Sequence, residues 1–66
     1  MKMNKVKGFR VMVNMTQEDM ASSIKMPLRT YVNKETGKTD FTIDELQSVK
    51  EVLNKNGLTI KLDDLV

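Results

Sequence analysis

The chain contains no cysteine, no histidine and no tryptophan, and one proline, one tyrosine and three glycines among its 66 residues. Without cysteine, no disulfide can staple the fold. Without cysteine or histidine, none of the usual zinc sites can be assembled. The same two absences remove the common nucleophile–base pairs of covalent catalysis. Carboxylates remain, but so short a chain offers little room for a deep pocket to perturb them. The inventory therefore points away from an enzyme, and no cofactor, metal or small-molecule substrate is expected. No run approaches the about 20 apolar residues that a membrane span needs. The opening MKMNKVKGFRVMVNM lacks the continuous apolar stretch of a secretory signal. The expectation is one cytoplasmic domain over residues 1–66. A chain of this size buries only about 60% of its unfolded surface, so it depends on close helix packing or on oligomerisation.

What the chain does have is charge, unevenly placed around a net of +2. Residues 1–38 hold eight Lys/Arg and three acids, whereas residues 39–66 hold three Lys and six acids. A basic half joined to an acidic half suggests an anionic partner on one side. A solvated surface with chance asymmetry is the plainer alternative.

Strand signals are poor and helix signals recur. Val6, Phe9 or Arg10, and Val13 share one helical face, which predicts a first helix over about 3–13, weakened by Gly8. Thr16 can cap the N–H of Asp19, opening a second helix with Met20, Ala21 and Ile24 as its buried stripe and an end near Ser23. Pro27, which lacks an N–H, suits the first turn of a third helix running through Leu28 to Glu35, with Tyr31 turned inward and Gly37 as the stop. Thr42-Ile43-Asp44-Glu45 forms a capping box for a fourth helix over about 43–54, carrying Leu46, Val49 and Leu53 and ended by Asn56-Gly57. Leu62 and Leu65 allow one last helical turn. The predicted fold is an all-α compact bundle of four to five short helices. The short break between its second and third helices is the signature of a helix-turn-helix over about 16–36.

Thr16-Gln17-Glu18-Asp19-Met20-Ala21 resembles the Thr-Gln-Glu-Glu-Leu-Ala opening of the second helix in the lambda-repressor/Cro-like family, also called the Xre family. Met26, Thr30-Tyr31 and Lys34-Glu35-Thr36-Gly37-Lys38 are similar to the rest of that motif. Phe41-Thr42 before an acid-rich helix and the ending Leu62-Asp63-Asp64-Leu65-Val66 resemble phage and mobile-element members from Gram-positive bacteria. The resemblance implies a lambda-repressor-like DNA-binding domain whose recognition helix, about 27–36, enters the major groove.

The same resemblance implies roles residue by residue. Leu28, Arg29 and Asn33 fall where the family reads base edges. Arg29 suits guanine O6 and N7, Asn33 suits adenine N6 and N7, and Leu28 can only pack on a thymine methyl. Gln17, Thr30 and Lys38 fall where the family contacts phosphates, and Gln17 also braces the recognition helix; its backbone N–H at a helix start is a phosphate donor too. Arg10 and Glu35 match a family salt bridge between the first and third helices. Four positions depart from the pattern. Lys25 replaces the turn glycine, where positive φ is preferred; Pro27 and Leu28 replace polar residues; Lys34 replaces an apolar one.

The implied function is a sequence-specific transcriptional regulator on a double-stranded DNA operator. It would act as a homodimer with half-sites about 34 Å apart, and would be Cro-like in lacking a second domain. Dimer contacts are expected from the end of the fourth helix and from Leu58, Ile60, Leu62, Leu65 and Val66. The rival class is a protein-binding helical module, such as an antirepressor gripping through Leu28 and Val32, or the antitoxin of a toxin pair.

Overall fold

In the computed structural model, which describes residues 4–65, four α-helices and a closing 3₁₀ turn wrap one apolar core. The helices are α1 (Val6–Met12), α2 (Gln17–Ser23), α3 (Leu28–Glu35) and α4 (Ile43–Lys55), and the 3₁₀ turn spans Leu62–Leu65. There is no strand among the described residues. The expected start of the first helix at residue 3 lies outside them. Within them, α1 begins at Val6, whose N–H donates to Asn4 Oδ1 at 3.1 Å. Pro27 precedes α3 as its cap instead of occupying its first helical position.

The predicted Thr42–Glu45 capping box forms, and the predicted Thr16 cap is completed into a second box by the Asp19 side chain. Asp19 N donates to Thr16 Oγ1 while Asp19 Oδ2 accepts from Thr16 N. Thr42 and Glu45 repeat the arrangement at the start of α4. Each box satisfies helix-start N–H groups that have no intrahelical partner.

All four helices end in one geometry, and much of it was not apparent from sequence. Each is closed by a residue with left-handed backbone: Asn14 (φ 59°), Lys25 (φ 58°), Gly37 (φ 89°) and Gly57 (φ 110°). In each case the following N–H reaches back five residues: Met15 to Arg10 O, Met26 to Ala21 O, Lys38 to Asn33 O and Leu58 to Leu53 O. These are Schellman closures, which satisfy the last free carbonyls of a helix and turn the chain sharply. They keep the connections short enough for 66 residues to make a bundle.

Every element contributes to the core. Val6 comes from α1, Met20 and Ala21 from α2, Tyr31 from α3, Leu46, Val49 and Leu53 from α4, and Leu65 from the 3₁₀ turn, each at most 5% exposed. The Tyr31 ring lies 5.9 Å from that of Phe41 at a tilt of 60°, a favourable aromatic arrangement.

Leu65 corrects an expectation. Reading it as a dimer contact fails because it is fully buried within the monomer. Asn54 brackets the preceding loop, donating to Ile60 O and accepting from Ile60 N. Lys5 N then donates to Leu65 O at 3.3 Å. The loop thus folds back over α4, and Leu58, Ile60 and Leu62 pack partly against the same core. Val66 lies outside the described residues.

Candidate nucleic-acid interface

Beneath α3 lies a buried polar hub centred on Glu35. Its carboxylate accepts four hydrogen bonds from three helices. Arg10 of α1 donates through Nε to Oε2 at 2.8 Å and through Nη2 to Oε1 at 3.2 Å. Gln17 of α2 donates through Nε2 to Oε1 at 2.9 Å. Tyr31 of α3 donates its hydroxyl to Oε2. Arg10 Nη1 also donates to Met15 O at 2.7 Å. Four donors fill the lone-pair sites of one carboxylate, so α1, α2 and α3 are locked in a single relative orientation.

The electrostatics follow from this arrangement. Burial alone would raise the Glu35 pKa, but the hydrogen bonds from Arg10, Tyr31 and Gln17 outweigh it and hold the carboxyl below its usual value. The Tyr31 hydroxyl is pushed far up, first by burial and then by its bond to Glu35. Arg10 is raised chiefly by its hydrogen bond to Glu35.

A second tie holds the far end of α3. Lys34 Nζ meets Glu45 Oε1 of α4 at 2.6 Å, and Asn4 Nδ2 donates to Lys34 O at 3.0 Å. Glu45 is also the capping-box acid of α4. Lys34 therefore joins the ends of two helices.

The hub decides which side of α3 faces outward. Tyr31 and Glu35 point inward, leaving Leu28, Arg29 and Thr30 exposed, with Leu28 42% accessible. Asn33 shares the outward side with Arg29 but is half-buried where the chain curls back, and its carbonyl accepts from both Lys38 N and Thr39 N. Lys38 is exposed just past the helix end. Gln17 is half-buried with its amide engaged on Glu35, so the bracing contact is present and the amide is only partly free. Of the residues expected to work together, Arg10, Glu35 and Gln17 are in direct contact. Leu28, Arg29, Thr30, Asn33 and Lys38 line the exposed part of α3 and its exit.

The Tyr31 hydroxyl, the Lys34–Glu45 tie and the Asn4 clamp were missed in the sequence. The first had an available signal, because residues four apart in a helix lie on one face. The other two depend on helices meeting across long separations. No group of three or more His, Cys, Asp or Glu that could hold a metal occurs among the described residues. No helix among them is long and apolar enough to cross a membrane.

Fold and surface together define a small all-α bundle that presents a short, rigidly held helix with one cationic side chain at its leading end. No family model matches the chain, and comparisons with curated proteins and with solved structures likewise found no match.

Proposed function

We propose that this chain is a sequence-specific DNA-binding regulator of the lambda-repressor-like kind, with α3 as the recognition helix. The observation that carries the reading is the exposed Arg29 on a helix whose opposite side is bolted to α1 and α2 through Glu35. A short helix with free leading side chains and a fixed base is what major-groove reading requires. Arg29 offers a planar donor fork for guanine, and Asn33 offers an amide for adenine. Thr30 and Lys38 flank them as phosphate contacts. Gln17 contributes a remaining amide hydrogen while it braces Glu35. The expected assembly on DNA is a homodimer.

The experiment is selection of bound sequences from random DNA with purified protein, followed by gel shifts across a salt series. Enrichment of a repeated half-site, with affinity falling steeply as salt rises, supports the reading, because phosphate contacts release counterions. Failure to retain any DNA at low salt overturns it. A second reading, a protein-binding module, draws on Leu28, which is 42% exposed at the head of α3 beside half-buried Val32. It predicts no shift with any DNA.

A further inference from the structure

A groove of about 770 Å³, open to solvent, lies between the α2–α3 turn and the second half of α4. The turn supplies Ile24 and Lys25. Ser48, Val52 and Lys55 line it from α4, and at spacings of four and three they share one side of that helix. Ile24 and Val52 are half-buried and packed against the core, so the floor is apolar. With Lys50 and Glu51 included, the lining holds three lysines and one acid. No salt bridge engages any of these four among the described residues.

One of the lysines sits on a strained backbone. Each helix is closed by a left-handed residue. Two of these are glycines, Asn14 is of a type that tolerates the conformation, and Lys25, at φ 58°, is neither. No ion pair among the described residues offsets that cost. Strain of this kind persists where the residue serves a role, and the lysine stands at the edge of a groove that the monomer leaves open.

We propose that this groove docks an acidic segment of a partner protein, with apolar side chains on Ile24 and Val52 and carboxylates toward Lys25 and Lys55. The occupant follows from the lining. Its excess of positive charge selects an anion. Its apolar floor selects side chains over a nucleic-acid backbone, whose phosphates would leave Ile24 and Val52 uncovered. Its openness selects a peptide over a small molecule, because small-molecule pockets enclose most of their ligand. Apolar anchors laid into a groove are a recurring mode of peptide recognition. The groove shares no residue with Leu28, Arg29, Thr30, Asn33 or Lys38, so the proposal does not depend on the DNA reading.

The test is selection of peptides from a random library on the purified full chain, followed by fluorescence anisotropy of the enriched peptides. The expected consensus is acidic with at least one large apolar residue. Lys55→Glu should weaken such a peptide by about tenfold or more. Lys7→Glu makes the same charge change at an exposed site on α1 outside the lining, and should leave binding unchanged. Lys25→Gly should weaken the peptide while raising the Tm, and those opposite signs separate a lost contact from a lost fold. Absence of an acidic consensus overturns the proposal, as does a peptide indifferent to Lys55→Glu and Lys25→Gly or weakened equally by Lys7→Glu. Lys25→Gly that spares the peptide but weakens DNA binding assigns the lysine to a phosphate and overturns it too, as does a self-associated chain that excludes the peptide. Peptide binding by a chain that retains no DNA supports this proposal and removes only the DNA reading.

Discussion

Arg10 and Glu35, 25 residues apart in sequence, meet at 2.8 Å with side chains only 9% and 1% exposed. A pair this well buried contributes little net stability compared with an apolar pair, but it severely penalises loss of either member. Its value here is geometric. It sets the angle between α1 and α3, and Gln17 extends that control to α2.

Glu35→Ala should therefore destabilise the fold by about 3–5 kcal/mol, because the Arg10 charge is left buried without its partner and Tyr31 and Gln17 lose their acceptor. Urea denaturation followed by helical circular dichroism measures this. A loss below about 1 kcal/mol would mean that solvent reaches the hub.

The hub also sets limits on both sides of neutrality. Glu35 is held below its ordinary 4.5 in the folded chain. The stability it supplies is thus complete above that ordinary value and drains away as pH falls through the lowered one. Tyr31 is held above its ordinary 10.0. Its share is complete below that value and is lost as the pH rises beyond it. Tyr31 is the only tyrosine and there is no tryptophan, so ultraviolet absorbance follows its ionisation directly. Phenolate should appear together with alkaline unfolding. Ionisation near 10 in a chain that remains helical would contradict the buried hydroxyl.

Lys25→Gly should stabilise the protein by up to about 1 kcal/mol, since glycine adopts positive φ without a Cβ clash. In a domain this small, the corresponding rise in Tm is about 4–8 °C. Gly57→Ala should do the reverse, because its φ of 110° strains any L side chain although the space around it is open. Scanning calorimetry of both variants checks the pair. A Tm lowered by Lys25→Gly would show that the lysine side chain contributes more than its backbone costs.

Arg29→Ala should weaken binding to the selected DNA site by about 1–3 kcal/mol and relax preference at one base pair, while Lys38→Ala should weaken all sequences alike and reduce the salt slope by about one. Binding isotherms on matched and mismatched sites separate the two. Unchanged specificity in Arg29→Ala would remove it from base reading, and a sequence-selective loss in Lys38→Ala would contradict a phosphate role.

Much of the fold is legible along the chain because its signals are local. Thr16 with Asp19 and Thr42 with Glu45 start helices through bonds that span three residues. Gly37 and Gly57 stop helices because only their own backbones need to turn. Asn14 and Lys25 end helices in the same left-handed way without a glycine to announce it. At Lys25 only the comparison with a family pattern pointed to positive φ. Among the candidate site residues, the exposure of Arg29 followed from helix phase. The half-burial of Asn33 did not, since it depends on how the exit from α3 curls back.

The amino-acid order by itself determined where α2 and α4 begin, which stripe of each helix is apolar, and that neither cysteine nor histidine chemistry is open to the chain. These properties depend on neighbours within one turn of backbone. Tertiary structure alone decided that Leu65 belongs to the core, that Lys34 ties α3 to α4, and that Glu35 takes four donors from three helices. Each of those outcomes depends on groups far apart in the chain arriving at one place, and the spacing of residues along a single helix carries no record of that meeting.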